Sequence, residues 1–342
     1  MALVVLAAGV LVSACGSGGP GGSGGSGGAG GFGGGTGLTA ALSRVADTGN
    51  TRSQIYYDHT AALVAVAGKR LSAAGYSTLV GMGAGALQAD EPLLQSQAGI
   101  QLTSEQYAIS AGSPPRVVGF LAGGQNAAQV TRDLTRQGWK RRGDLLVMLP
   151  LNLLNSLDGS TGGALSLVEP TGSDVIYGNQ RADLSEAEAP SGTTLAQDPL
   201  VSALATCLGN VAAAEIVSGY PGPAVKPAEL AVGVSTPASN SAAPHVVACA
   251  AWSSPGAASG YAANLRRALS SGSSVSAGER WSALLRHASV TSIGGRQNVV
   301  GWQAQAPGRA LAVFQLIDNE DLPALPDCGR LSRAAAARVI GC

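Results

Sequence analysis

The order of apolar and polar residues after position 38 predicts a mixture of helices and strands. Short apolar runs rich in β-branched and aromatic residues indicate strands, whereas apolar residues three or four positions apart indicate helices. In the first half, strands are expected over residues 76–80, 107–110, 117–121 and 145–149. Helices are expected over residues 38–45 and 126–137, and from a cap at Asn50 or Thr51 to about residue 67.

A comparable order returns in the second half. Strands are expected over residues 230–235, 245–252, 299–303 and 310–317, and helices over residues 257–270 and 279–287. Pro115-Arg-Val-Val and Pro244-His-Val-Val each open a strand that a helix follows, which hints at a repeated unit. The predicted class is therefore α+β, with mainly antiparallel sheets partly covered by helices and two related strand, strand, helix, strand halves.

Two stretches rich in turn-forming residues are candidate boundaries between these halves. Residues 190–198 are rich in Pro, Ser and Thr, and residues 219–223 read Gly-Tyr-Pro-Gly-Pro. We assign the first half to residues 39–190 and the second half to residues 191–342.

The N-terminus has a different character. Residues 2–12 are an apolar run of signal-peptide length, too short for the roughly 20 residues that cross a bilayer. Residues 16–38 are almost wholly Gly and Ser, a composition that buries too little apolar surface to fold. As a disordered tether, this stretch would reach on the order of 25 Å.

Val12-Ser13-Ala14-Cys15, between these two segments, resembles the lipobox of bacterial lipoproteins. The resemblance implies a signal peptide over residues 1–14, lipidation of Cys15 and a lipid-anchored tether over residues 15–38. It places the protein on the outer face of the cytoplasmic membrane, and the whole chain at most resembles uncharacterised actinobacterial lipoproteins. The alternative is an uncleaved apolar N-terminus on a cytoplasmic protein.

Cys207, Cys249, Cys328 and Cys342 remain once Cys15 is set aside, an even number in a chain that its signal sends to an oxidising compartment. Four cysteines allow three pairings. Cys328 and Cys342 bracket a short Ala-rich helical segment, which favours Cys328–Cys342 and leaves Cys207 for Cys249. No metal-ligand spacing of Cys and His is present, so we predict disulfides and no metal site.

Charge excludes one class of partner. Lys and Arg total 21 and Asp and Glu total 21, so no overall field attracts nucleic acid. One local exception is the set of cations around Trp139, namely Arg132, Arg136, Lys140, Arg141 and Arg142. These cations complement the end of the predicted helix, and the alternative is contact with anionic lipid or wall polymer through an interfacial Trp139.

Candidate catalytic and cofactor motifs are weak. Gly81-Met-Gly-Ala-Gly-Ala86 nominally fits a dinucleotide pattern, but Asp90-Glu91-Pro92 soon follows and a turn is favoured. His59, His245 and His287 lie far apart, and Asp58 beside His59 would point to a different face of the predicted helix. We therefore predict no catalytic or cofactor-binding residues and no cofactor.

The leading hypothesis is a non-catalytic binding or interaction module, held to the membrane through Cys15. Its partner would be an envelope protein, a wall polymer or a small apolar ligand. The alternative is an envelope-acting hydrolase whose Ser, His and carboxylate meet only in the folded chain.

Overall fold

The computed structural model describes residues 37–68, 76–148, 159–188, 190, 192–219, 227–239, 241–274, 277–293, 297–306, 310–318 and 321. These residues belong to one compact unit, Gly35–Cys342. The predictions for the signal segment, for the tether up to residue 36, and for Cys15, Cys328 and Cys342 lie outside the described residues. The tether prediction is wrong at its end, because the apolar side chain of Leu38 is buried in the core and this residue begins the helix Leu38–Leu42. Across the ranges given above, no helix is both long enough and apolar enough to span a bilayer.

The described strands form one antiparallel sheet of twelve. They are β1 Gln54–Asp58, β2 Tyr107–Ala111, β3 Val118–Ala122, β4 Lys140–Arg142, β5 Leu145–Val147, β6 Leu167–Thr171, β7 Asp174–Gly178, β8 Val211–Ser218, β9 Glu229–Ser235, β10 His245–Ala251, β11 Arg286–Ile293 and β12 Val299–Gln305. Their spatial order is β11-β12-β10-β9-β8-β1-β2-β3-β7-β6-β5-β4. The α+β class with a mainly antiparallel sheet is thus confirmed.

The α-helices cover both faces of this sheet. They are α1 Leu38–Leu42, α2 Thr60–Ala67, α3 Glu91–Leu93, α4 Ala127–Arg136, α5 Gly159–Ala164, α6 Ser185–Glu188, α7 Pro199–Leu208, α8 Pro255–Ser271, α9 Trp281–Leu284 and α10 Ala312–Asp318. Tighter 3₁₀ turns cover Ser77–Leu79, Met82–Asp90 and Leu195–Gln197, and a π turn covers Leu94–Ala98.

Side-chain caps fix where the longer helices begin. The side chains of Asn126, Asp198 and Ser254 accept hydrogen bonds from backbone N–H groups in the first turns of α4, α7 and α8. Each cap satisfies a donor that has no partner within its helix. Proline opens α7 and α8, where the missing N–H costs nothing.

The two halves of the chain share one strand order. The first five strands from the junction are β1-β2-β3-β7-β6 in the first half and β8-β9-β10-β12-β11 in the second half, and β5 and β4 extend the first half further. Helix α4 follows β3, and α8 follows β10 at the equivalent point. β1 pairs with β8 in antiparallel orientation, with Ile55 opposite Ile216, so the halves meet about an approximate twofold relation. The hint of a repeated unit thus has a counterpart in the topology.

The sheet buries three apolar clusters. On one face a continuous cluster spans both halves and includes Ile55, Ile109, Ile216 and Cys249, packed under α1 and α7. On the other face there are two clusters. One packs the strands of the second half against α8 and α10 and also includes Leu63 of α2 and apolar residues of the range 76–82. The other packs the strands of the first half against α4 and residues 84–98.

Strands with continuous apolar runs were predicted correctly. The structure confirms the strands predicted over residues 107–110, 117–121, 230–235, 245–252 and 299–303, and the helices predicted over residues 126–137 and 257–270. Nearly every residue of the first four strands is buried, which explains their clear signal.

Four other predictions were wrong. Residues 54–58 form β1 and not helix, because Ile55 and Tyr57 enter one core while Tyr56 and Asp58 face the other side. Residues 76–80 form a 3₁₀ turn, and residues 310–317 lie mostly in α10, since β12 already has β10 and β11 on its two sides. Of residues 279–287, only Trp281–Leu284 is helical, and β11 begins at Arg286.

The predicted pair Cys207–Cys249 forms a disulfide with an S–S distance of 2.04 Å. It joins α7 to the centre of β10. A Cβ added at Gly301, opposite Cys249 on β12, would lie 3.0 Å from the Cys207 Sγ atom. The bridge therefore packs directly on the backbone of the sheet.

We expect the double variant Cys207→Ala/Cys249→Ala to lose about 4 kcal/mol of unfolding free energy in the chain-entropy description of a loop of this length. The bridge closes a sequence separation of 42 residues. Urea unfolding of the double variant and of wild type, both without reductant, measures the loss. Equal midpoints for the two proteins would contradict the expectation.

Candidate functional site

Two carboxyl groups lie buried where β1 ends and β2 begins. Asp58 is the last residue of β1, Thr60 is the first residue of α2, and Glu105 stands two positions before β2. Asp58 and Thr60 are fully buried and Glu105 is 1 % exposed. We call Asp58 and Glu105 the acid pair. Isolated ionised carboxylates at such depth are costly, so each member must either carry a proton or accept hydrogen bonds.

The hydroxyl of Thr60 lies between the two acids. It donates to Asp58 Oδ2 and stands 3.1 Å from Glu105 Oε1. A hydroxyl has one hydrogen, and Asp58 Oδ1 also accepts from the N–H of Gly83 at 2.7 Å. Thr60 can therefore donate to only one of the two acids at a time, and the other contact is satisfied when that acid carries a proton. The geometry fits one neutral acid and one carboxylate, linked through a single hydroxyl.

The electrostatics agree with this assignment. Burial raises the pKa of Asp58 to about 7, even though the Thr60 hydroxyl and the Gly83 N–H favour its charged form. Burial raises the pKa of Glu105 well above its ordinary value, and the nearby Asp58 charge raises it further. Glu105 has fewer donors, and its Oε2 has no hydrogen-bond partner among the described atoms. Glu105 is therefore the member of the pair that retains its proton to higher pH.

Residues 81–86, the glycine-rich segment, cover the acid pair. A Cβ added at Gly83 would lie 2.2 Å from the backbone oxygen of Ala108 and 2.6 Å from the backbone nitrogen of Asp58. Tyr177 on β7 donates its hydroxyl to the Ala84 carbonyl at 2.8 Å. The glycines thus allow one backbone to lie against two strands, a structural use of this motif.

The glycine-rich segment does not form a dinucleotide site. Such a site needs a glycine turn that opens a helix and leaves its N–H groups free for a pyrophosphate. Here the N–H of Gly83 is bonded to Asp58, and Met82, Gly83 and Ala84 are buried. The acid pair holds this segment on the sheet and is closed to a ligand of any size.

The three histidines occupy separate places. His59 precedes α2 and is half-buried, which lowers its pKa, and His287 lies exposed on β11. His245 Nδ1 lies 3.1 Å from Ser235 Oγ, at the paired ends of β10 and β9. No described carboxylate bonds to any of these rings. Among the residues that the structure describes, Ser235 and His245 therefore form a pair without the acid of a catalytic triad.

The structure does not place Trp139 where it could insert into a membrane interface. Trp139 is 3 % exposed, and its indole N–H donates to the Leu165 carbonyl at 2.8 Å. It belongs to the apolar cluster of the first half, so it is not available as a membrane anchor. The cations on α4 and β4 remain exposed.

Thr60 and Glu105 were not identified from the sequence, which considered Asp58 only beside His59 and set that pair aside. A signal was present, because Asp58 and Glu105 each adjoin a strand of buried residues, where an ionisable side chain needs a partner. Their distance of 47 positions along the chain concealed the contact. Within the described ranges, no group of three or more His, Cys, Asp or Glu side chains is placed to hold a metal ion.

Comparisons of the chain with protein-family models, with curated proteins and with solved structures gave no match.

We expect the acid pair to make stability fall as pH rises. The folded chain keeps protons that unfolded carboxyls release near pH 4, so unfolding free energy is lost between about pH 4 and the raised folded pKa, about 7 for Asp58. The loss is at most about 1.4 kcal/mol per pH unit for each proton. Glu105→Gln can donate to Thr60 without titrating, and it should flatten this dependence.

Urea unfolding at a series of pH values measures the effect, with the exposed Glu279→Gln as the matched control. Glu229 also has a pKa raised to about 7 by burial, so the slope of Glu105→Gln is compared with wild type and not with zero. If the unfolding free energy of Glu105→Gln and of wild type depends on pH with the same slope, the assignment of the retained proton to Glu105 is wrong.

Close packing of the glycine-rich segment gives a second prediction. Gly83→Ala should lower the unfolding free energy by about 3 kcal/mol, because the added methyl meets backbone atoms of β1 and β2. Gly256→Ala in α8 is the control, since no atom lies within 4 Å of its added Cβ. Chemical denaturation compares the two variants, and equal midpoints would refute the contact.

Proposed function

We propose that this protein is a lipid-anchored, non-catalytic binding protein of the bacterial cell envelope. The observation that carries the proposal is the lipobox-like Val12-Ser13-Ala14-Cys15, between an apolar run and a Gly/Ser tract. Lipid on Cys15 would hold the body on the outer face of the cytoplasmic membrane. The tether would let that body search the space above the head groups.

Features of the folded body are consistent with this location. The Cys207–Cys249 bridge is of the kind that persists in oxidising compartments. The compact unit begins at Gly35, at the end of the Gly/Ser tract. The sheet has helices on both faces, an arrangement that gives a rigid body.

Binding is favoured over catalysis by the state of the titratable groups. Enzymes place carboxyl groups with raised pKa values in clefts that substrate can reach. Here Asp58 and Glu105 are sealed beneath the glycine-rich segment, where they satisfy one another through Thr60. The hydrogen bonds of these two carboxyl groups therefore stabilise the packing of the glycine-rich segment on the sheet.

The alternative, an envelope-acting hydrolase, has the Ser235 to His245 contact in its favour. That pair would need a carboxylate on the second ring nitrogen of His245 to orient the base. Labelling of Ser235 by a fluorophosphonate probe would therefore contradict the non-catalytic proposal.

We expect Cys15→Ser to move the protein from the detergent phase to the aqueous phase on detergent partitioning, because the serine hydroxyl accepts no thioether-linked lipid. Ser13→Ala retains a small residue before the cleavage point and should partition as wild type does. If Cys15→Ser stays with the detergent phase, the lipid anchor is excluded.

A further inference from the structure

A groove lies between α4 and the strands at the β4 edge of the sheet. Its volume is about 540 Å³. Small side chains and one proline form part of its lining, and two arginines and two threonines supply its polar groups. The four polar residues are Thr131, Arg132, Thr135 and Arg141.

The charge around this groove is unbalanced, although the chain as a whole is neutral. Residues 127–147 contain five cations and two carboxylates, whereas the full sequence has 21 of each sign. The two carboxylates only partly neutralise the cations. Asp133 stands 3.1 Å from Arg136 and 3.9 Å from Arg132, and Asp144 stands 3.5 Å from Arg141.

The arginines of the groove are available to a ligand. The side chains of Arg132 and Arg141 are each 62 % exposed. Exposed ion pairs of this length contribute little, so an incoming anion can replace Asp144 beside Arg141 at small cost. Arg141 Nε would keep its hydrogen bond to the Gly143 carbonyl, 2.7 Å away. A guanidinium presents a planar set of donors that matches the oxygens of a phosphate group, and threonine hydroxyls can add further donors.

We propose that this groove binds an anionic phosphodiester polymer of the cell envelope. The proposal rests on the envelope location proposed above and names the class of partner. A polymer is favoured over the membrane surface because Trp139, the aromatic side chain that could insert among head groups, is buried. The large exposed apolar side chains of the described chain, Leu93 and Ile293, do not line the groove.

Strand β4 offers a matched control. Its residues Lys140, Arg141 and Arg142 are all exposed, and successive side chains of a strand point to opposite sides. Arg141 lines the groove, so Lys140 and Arg142 lie on the other side of the pleat. Arg132→Gln/Arg141→Gln and Lys140→Gln/Arg142→Gln therefore remove the same charge from different places.

The test uses the full chain with Cys15→Ser in every sample, so that its outcome does not depend on lipidation. Poly(glycerol phosphate) is titrated in one series, and vesicles of phosphatidylcholine with and without phosphatidylglycerol in another. We expect the polymer to bind, the groove variant to bind about tenfold more weakly and the control variant to change by no more than about twofold. Binding should weaken with salt, and the groove variant should show a smaller salt slope.

Three results would overturn the proposal: no binding of the polymer, equal weakening in both double variants, or binding to anionic vesicles without binding to the polymer. Equal weakening would show a diffuse charge effect, such as the protection of a sheet edge by cations. Thermal unfolding of both variants confirms that they are folded. None of these results changes the partitioning test of Cys15, so the two proposals fail separately.

Discussion

The pairing of β1 with β8 joins the two halves of the chain into one sheet. Five strands of each half follow the same order, and the first strand of each half would be an open edge without the other half. Antiparallel register between Ile55 and Ile216 buries both residues in the cluster that spans the halves. An unpaired edge invites association with other chains, so each half protects the other. Helix α7, linked through Cys207 to β10, covers this shared cluster.

The opposite face at the same junction has another composition. Between the two separate apolar clusters, β1 and β8 place Gln54, Tyr56, Asp58 and Glu215 on one side of the sheet. Gln54 donates to Glu215 at 3.1 Å, and Asp58 accepts from Thr60 and Gly83. Buried polar groups are tolerated when such partners satisfy them. The glycine-rich segment can cover this polar strip because its backbone supplies donors and acceptors at close range.

Sequence patterns located elements whose signal is local and missed those that depend on neighbours. The periodic patterns over residues 126–137 and 257–270 identified α4 and α8, and apolar runs identified the central strands. Exposed β11 and the short β1 have mixed polarity, so their strand character comes from the pairing partner. The Asp58 to Glu105 contact was beyond reach for the same reason, because α2 and the glycine-rich segment must dock before the two acids meet.

The location of these features constrains where recognition can occur. A sheet with helices on both faces presents a partner with helix surfaces, loops and strand edges. The acid pair and Thr60 are hydrogen-bonded to one another beneath Gly83, so these groups take no part in recognition. The exposed, locally unbalanced positive charge lies on α4 and β4. These elements are far from the disulfide and from the junction of the halves. Substitutions on this surface, at the end of the twelve-strand sheet, can therefore change what the protein binds without any change to the core.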